Sequence, residues 1–445
     1  MLSVLRDHTY RHLFTAQVVA LLGTGLATVA LSLLAYDMAG SAAGSVLGTA
    51  LAVKMAAYVL IAPAVSAVAD GLPRRALLVG ADLVRAAVAL LLPFVDQVWQ
   101  VHVLVFALQA ASAAFTPTFQ AVVPEVLPDE RDYTRALSLS RLAYDLESLF
   151  SPALAAALLS LVTYNWLFTG TAIGFVASAA LVVSAVLPKA TATPRSGSVY
   201  AKATAGTKLF LRNPCLRSLL ALNLAVAAAG AVITVNTVVY VRDHLGRSTG
   251  DVALALGAYG AGSITVALLL PKMLDRVPDR TVMLRGGLLL GVIFAGTGAI
   301  TAARDGEWRW PALLTAWALF GAVCSTVLTP AGRLIRRSAA PPDRTAVFAA
   351  QFSLSHSCWL VTYPLAGWLA TAAGLQSALV ALGLTASAAA LAAVRLWPAS
   401  EADSVVHLHI GLRPDHPHLF DAVQVPDGWR HRHERVLDDL HRPAH

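Results

Sequence analysis

Charged side chains inside long apolar stretches are the residues of this sequence best suited to chemistry. Lys54 stands about ten residues into one apolar run, and Arg141, Asp145 and Glu147 stand roughly eight to fourteen residues into another. At about 1.5 Å of rise per helical residue, these positions reach the middle of a lipid bilayer. A charge there costs free energy unless it is paired or hydrated, so such residues mark either a structural ion pair or a path for ions.

The spacing of these four residues limits how they pair. Arg141 and Asp145 are four residues apart, so they can pair along one helix face. Glu147 lies on a different face and needs another partner, for which Lys54 is the lysine available. Two interpretations stay open: a structural salt-bridge network within the first half of the chain, or coupling to protons or cations.

A later apolar run holds His356 and Cys358, whose imidazole and thiol suit a borderline soft divalent metal ion. Two helical residues two apart point about 200° apart, so both would bind one ion only if the helix were distorted. His356 is therefore a candidate ligand in transport or, alternatively, a hydrogen-bonded packing residue.

The polar tail after Trp397 repeats a His-x-His unit three times, at His407 and His409, His416 and His418, and His431 and His433. Neutral imidazole is a common nitrogen ligand for nickel, copper, zinc and cobalt. A flexible tail could gather several pairs around one ion. The alternative is a disordered tail with incidental histidines.

Two charged loops, each between two apolar runs, form a further pair. The first is Ala67-Val68-Ala69-Asp70-Gly71-Leu72-Pro73-Arg74-Arg75, and the second is Leu274-Asp275-Arg276-Val277-Pro278-Asp279-Arg280. An aspartate at the start of a helix complements its dipole, and the arginines can bridge to neighbouring carboxylates. We expect a latch that forms in one conformation and breaks in another, made of Asp70, Arg74, Arg75, Asp275, Arg276 and Arg280. The alternative is that these residues are ordinary anchors beside the membrane.

Composition indicates the elements that must position these residues. The chain is 57% hydrophobic and 13% charged, with a mean hydropathy of +0.65, and apolar runs long enough to cross a bilayer recur throughout. The sequence predicts an all-α membrane protein with twelve transmembrane helices, at roughly 12–37, 44–69, 75–95, 99–124, 133–162, 163–187, 214–241, 249–273, 280–302, 310–333, 344–372 and 374–397.

These spans divide into an amino-terminal six-helix bundle (1–188), a cytoplasmic linker (189–212), a carboxy-terminal six-helix bundle (213–397) and a cytoplasmic histidine-rich tail (398–445). Two echoes indicate parallel repeats: Thr116-Pro117 with Thr329-Pro330, and the stretch ending at Arg141 with the stretch ending at His356. Parallel halves of this kind suit alternating access with a site at the membrane midplane.

Charge predicts the orientation and excludes some functions. Most Lys and Arg residues fall on one side of the predicted bundle, so both termini are expected in the cytoplasm of a cell (plasma or inner) membrane. The net charge of +7 lies in these loops and indicates no nucleic-acid partner. Three distant cysteines favour no disulfide framework, and no phosphate-binding loop is present, so we expect neither enzyme activity nor a cofactor.

The paired loops resemble the signature loop of the major facilitator superfamily, Gly-x-x-x-Asp-[Arg/Lys]-x-Gly-[Arg/Lys]-[Arg/Lys], although Ser66, Gly71 and Pro73 depart from it. Three stretches are similar to the efflux branch that contains siderophore and macrolide exporters: Ala114–Gln120, Leu127–Glu130 and Ala136–Ser140. Two others, Arg141–Glu147 and Ser355–Trp359, look more like the nickel-resistance exporters of this branch, for which a histidine-rich tail is also typical.

The resemblance implies a monomeric secondary transporter, in contact with membrane lipid, that exports a divalent transition-metal ion in exchange for protons, with nickel favoured. It implies that Lys54, Asp145, Glu147 and His356 face the central passage, where the carboxylates would bind the ion or the proton. Two alternatives stay open. One is proton-coupled efflux of an organic drug or siderophore, and the other is a membrane metal sensor that transports nothing.

Overall fold

The computed structural model describes residues 2–39, 43–69, 72–188, 199–303, 305–398, 405–409, 423–425 and 428–433. Helices dominate these residues, and each predicted span corresponds to a helical stretch within a few residues. Asp70, His416 and His418 lie outside the described residues.

The first half contains six long helices after a short 3₁₀ turn at Leu2–Arg6. They are α1 (His8–Ala39), α2 (Ala43–Ala69), α3 (Arg74–Leu91), α4 (Val98–Val126), α5 (Glu130–Leu159) and α6 (Tyr164–Ser184). Local chemistry fixes their starts. Gln97 and Gln100 form a reciprocal cap at the start of α4, and the Asp129 carboxylate accepts the Asp132 amide at 3.0 Å at the start of α5.

The second half follows α7 (Val199–Arg212) and contains α8 (Pro214–Ala231), a three-residue α9 (Thr237–Val239) between two π-helical turns, α10 (Thr249–Leu274), α11 (Asp279–Ala302), α12 (Arg309–Leu328), α13 (Ala331–Ser338), α14 (Arg344–Ala373) and α15 (Leu375–Leu396). Asn213 caps α8 by accepting the Cys215 amide at 2.9 Å. The predicted span 310–333 is two helices, because Pro330 has no N–H with which to continue α12.

Each half has its own internal helix packing, and the two halves contact each other through a few helices. Within them, α1 packs on α6, α2 on α4, α10 on α12 and α8 on α15, while the halves meet where α2 and α4 contact α14 and where α5 contacts α10. Nine helices of the described residues are long and apolar enough to cross a membrane. The other long helices, α2, α5 and α14, hold Lys54, Asp145 and His356 at the junction. The predicted all-helical fold of two six-helix halves is confirmed.

The described stretches of the tail (405–409, 423–425 and 428–433) differ from the expectation of a flexible chain. Three short strands, β1 (Val405–His409), β2 (Val423–Val425) and β3 (Gly428–His433), form an antiparallel sheet in the order β1-β3-β2. β-branched residues at 405, 406, 423 and 425 favour strands. The polar composition of the tail predicts a flexible chain, because it does not show this local preference for strands.

Helices α10 and α12 cross with their backbones nearly in contact. A Cβ atom at Gly262 would overlap the Ala318 carbonyl oxygen, and one at Gly321 would overlap the Tyr259 carbonyl oxygen. Small residues let helices approach closely in lipid, where van der Waals packing rather than the hydrophobic effect drives association. This pair of glycines therefore helps to hold the second half together as one unit.

We predict that Gly262→Ala destabilises the protein by about 1–3 kcal/mol, because the added methyl group forces the two backbones apart. Thermal unfolding in detergent should show a clear fall in the melting temperature. Gly257→Ala, on the same helix with open space around it, is the matched control and should not lower the melting temperature. Equal melting temperatures for both variants would contradict the close crossing.

Candidate functional site

A polar junction joins the halves at mid-helix. Arg141 Nη2 lies 2.9 Å from Asp145 Oδ1 along α5. Ser263 of α10 donates to Asp145 Oδ2 at 2.6 Å and accepts from Arg141 Nη2 at 3.0 Å. The ion pair predicted from the four-residue spacing is thus formed, and a hydroxyl from the other half completes it. Because the low dielectric strengthens such bonds, this junction is a strong and specific contact between α5 and α10.

Glu147 has different surroundings, although it is only two residues from Asp145. It lies against α1 and Ser151, and a Cβ atom at Gly25 would come within 2.8 Å of its Oε1. The positive charge of Lys54 is near enough to attract the Glu147 carboxylate electrostatically. Among the described residues, however, no ion pair within 4.0 Å involves this carboxylate. Glu147 is therefore a partly buried carboxylate without a close cation, the arrangement suited to binding a proton or a cationic ligand.

An aromatic cluster joins α2 and α14. The Tyr58 hydroxyl donates to Gln109 Oε1 at 2.8 Å, and Lys54 Nζ lies 5.7 Å from the Tyr58 ring centroid. The rings of Phe352 and His356 lie 4.9 Å and 4.7 Å from that of Tyr58. This cluster presents aromatic surface next to one cation.

His356 and Cys358 each bond to their own helix. His356 Nδ1 lies 2.7 Å from the Phe352 carbonyl oxygen, which can only accept, so Nδ1 carries a proton and donates it. Cys358 Sγ donates to the Leu354 carbonyl oxygen at 3.5 Å. Where the structure describes side chains, no group of three His, Cys, Asp or Glu residues could hold a metal ion. The two candidate ligands in α14 are therefore not brought together with further donors.

Charged side chains also link the halves at one end of the bundle, the basic end, which carries Arg74, Arg131, Arg276, Arg333 and Arg337. Buried Arg333 lies 2.6 Å from Glu130 of the first half and 3.4 Å from Asp279 of the second. Arg337 contacts the same two carboxylates. Arg333 also donates to the Thr134 hydroxyl at 2.7 Å. We name Glu130, Asp279, Arg333 and Arg337 the ionic lock.

The residues of the predicted latch take several positions around this lock. Three of these arginines bond within their own half. Arg74 pairs with Glu125 and Arg75 donates to the Ala185 carbonyl oxygen in the first half. Arg280 donates to the Trp397 carbonyl oxygen in the second half. Asp275 lies 3.5 Å from Arg131 of the other half. Arg276 is exposed.

Sequence reasoning did not select the lock residues as functional. From the sequence, Arg333 and Arg337 belong only to the many basic residues that predict orientation. The available signal was the dense basic run that follows Pro330, opposite the acidic start of α5.

The polar contacts between the halves lie in one part of the bundle. Among the described residues, the hydrogen bonds and ion pairs that join the halves run from the mid-helix junction to the basic end. Helix α7 also packs on both α2 and α14. A Cβ atom at its Gly206 would overlap the Ala346 carbonyl oxygen. The two halves are therefore closed against each other at the basic end.

The sequence profile of the Major Facilitator Superfamily matches residues 13–240 and again residues 218–431. The chain belongs to the major facilitator superfamily. It is thus a multi-pass membrane protein with the major facilitator fold. The first match runs from α1 through α9, and the second runs from α8 to β3.

Two of the curated relatives that the chain matches are macrolide efflux proteins. The chain is 28% identical over 182 residues to macrolide efflux protein A of Streptococcus pyogenes, covering 40% of this chain and 44% of that protein. It is 29% identical over 137 residues to macrolide efflux protein A of Enterococcus faecalis, covering 30% of this chain and 42% of that protein. The chain thus matches less than half the length of these relatives.

Solved structures share the fold across nearly the whole bundle. The human organic anion transporter MFSD10 superimposes with a TM-score of 0.72 at 14% identity, covering 87% of this chain and 99% of that one. A bacterial homologue of the iron transporter ferroportin gives 0.71 at 13% identity, covering 87% and 99%. At these identities the likeness shows the fold alone.

We predict that Arg333→Ala opens the basic end, because it leaves Glu130 and Asp279 without their shared buried cation. A cysteine at position 137 reports this opening, since Leu137 lies beneath Gly332 of the other half. Its modification by a water-soluble maleimide should speed up by at least about tenfold, which corresponds to about 1.4 kcal/mol.

Arg75→Ala is the matched control, because Arg75 bonds only within its own half among the contacts described. It should leave the modification rate unchanged. If both variants react at the parental rate, the ionic lock does not hold the basic end closed.

Proposed function

We propose that this protein exports a small organic molecule across the cell membrane by alternating access, in exchange for protons. The single observation that carries the proposal is Glu147, a mid-helix carboxylate without a cation within 4.0 Å among the described residues. The charge of Lys54 reaches it, and Lys54 in turn lies beside the Tyr58 ring of the aromatic cluster. The relationship to macrolide efflux proteins supports an organic substrate.

The orientation of the closed end follows from charge. The positive-inside rule favours a cytoplasmic location for the basic end, with its arginine-rich junctions. In this orientation the lock would close the cytoplasmic side, and the described state would be one that releases substrate outward. Separation of Arg333 from Glu130 would reopen the cytoplasmic side for loading.

Coupling follows from competition at Glu147. A proton neutralises the carboxylate, whereas a cationic or strongly polarised substrate group requires it to be charged. Lys54 would shift toward Glu147 when substrate leaves and would be displaced by the next substrate. Competition of this kind links outward release of substrate to inward movement of a proton.

Asp145 has a different role in this proposal. Arg141 and Ser263 already engage both of its oxygens in the closed state. The Asp145–Ser263 bond crosses between the halves, so it contributes to closure rather than to substrate binding.

We predict that Glu147→Gln abolishes export driven by a proton gradient, because the amide cannot exchange a proton. Uptake of a fluorescent organic dye into inside-out proteoliposomes with an imposed pH gradient measures this. Glu307→Gln, at an exposed loop, is the matched control and should transport normally. Normal gradient-driven transport by Glu147→Gln would remove Glu147 from the coupling step.

The partner test concerns Asp145. If Asp145 serves closure, Asp145→Asn should slow transport by leaving Arg141 unpaired, and the double variant Asp145→Asn with Arg141→Leu should recover part of it. No recovery, together with a complete loss in Asp145→Asn, would assign proton coupling to Asp145 as well.

Export of a divalent transition-metal ion, with nickel favoured, is the second candidate. The observation that favours it is the set of histidines in the tail strands. His356 would then be a ligand in the passage, and the tail would collect ions on the cytoplasmic side. Radioactive nickel uptake in the same proteoliposomes separates the two candidates. Absence of both dye and nickel transport would instead favour a non-transporting metal sensor.

A further inference from the structure

The backbone of the tail sheet brings two of the three His-x-His units together. Strand β1 pairs antiparallel with β3, and the register sets His407 opposite His431. In the same ladder Val405 is opposite His433, and His409 is opposite Trp429. These units are more than twenty residues apart in sequence, so composition alone does not predict their pairing.

Alternation along a strand then decides which residues share a face. Residues two apart lie on the same face, and directly opposite residues of paired strands do as well. His407 and His409 therefore share a face with His431 and His433. Arg430 and Arg432 belong to the other face.

The spacing on this face suits one metal ion. Directly opposite Cα atoms are about 4.5–5.5 Å apart, residues two apart along a strand are about 6.5–7 Å apart, and diagonal neighbours are about 7–8 Å apart. Three imidazoles with one open position form a common zinc coordination set. His407 and His431 are central, and His409 and His433 each lie diagonally across from one of them.

We propose that this face of the tail sheet is a binding site for a single divalent transition-metal ion, with His407 and His431 as its obligatory ligands and His409 or His433 as the third. Imidazole donors select a late first-row ion such as zinc, cobalt, nickel or copper over calcium or magnesium. Binding at this site does not depend on the organic substrate proposed for the membrane bundle, so it goes beyond that proposed function.

The proposal differs from a flexible histidine-rich tail in one measurable respect. In a flexible chain the three His-x-His units are equivalent. In the sheet, the pairs at 407/409 and 431/433 act together, so their loss should weaken binding more than the loss of His416 and His418. Ranking the single-histidine variants therefore separates the two arrangements.

The test uses the full-length protein purified in detergent, stripped with a chelator and titrated with cobalt. Visible absorption reports coordination geometry, and competition with zinc gives affinity. We expect one cobalt ion per chain with a nitrogen-ligand spectrum. His407→Ala and His431→Ala should each weaken affinity at least about tenfold. His409→Ala and His433→Ala should each have a smaller effect, and the two together should match His407→Ala.

Two controls are built into the chain. Arg432→Ala changes the neighbour of His431 on the other face of the same strand, so it tests for general damage to the sheet and should leave binding intact. His416→Ala with His418→Ala should also leave affinity unchanged. Equal losses from all three His-x-His units, or no cobalt binding by the parent protein, would overturn the proposal. Dye transport by the same variants, measured separately, tests the proposed function and not this site.

Discussion

Buried charge between the two halves is the constraint on which the rest of the structure depends. Arg333 is nearly excluded from solvent, and a guanidinium in such surroundings is tolerated only with well-placed partners. Its partners come from both halves: Glu130 and Thr134 from the first, and Asp279 from the second. Closing the basic end is therefore what satisfies this arginine, and opening that end requires water to replace the partners.

Helices pack differently within each half than they do between the two halves. Within a half, glycines bring helix backbones together, as at Gly262 and Gly321, and Gly23 with Thr171 plays a similar part between α1 and α6. Between the halves, hydrogen bonds and ion pairs accompany the apolar and aromatic contact of α2 and α4 with α14. Close-packed interiors resist deformation, whereas polar contacts can exchange with water. The halves are thus built to move as units, and the mid-helix junction at Asp145 and Ser263 is where they would turn.

Much of the fold could be predicted from the sequence, because bilayer thickness sets the length of apolar runs and the hydrophobic pattern is strong. The intrahelical pair Arg141–Asp145 followed from its spacing for the same local reason. What could not be predicted depends on tertiary contacts. The partner Ser263 is 118 residues from Asp145, and Glu130 and Arg333 meet across some two hundred residues. The end of α12 at Pro330 could be predicted locally, because proline has no N–H with which to continue a helix. The register of the tail strands could not, because it pairs residues that are distant in sequence.

We expect the two halves to rock as rigid units about the mid-helix junction. Distances between pairs of spin labels test it most directly, in a variant without the native cysteines. One pair sits at the opposite end, at Leu161 and Ala372, and one at the basic end, at Leu72 and Lys272, all exposed positions. Across a pH series, with and without dye, the account predicts that one distance lengthens as the other shortens, while a pair within one half stays constant. Distances that change in the same sense at both ends, or that change within a half, would contradict it.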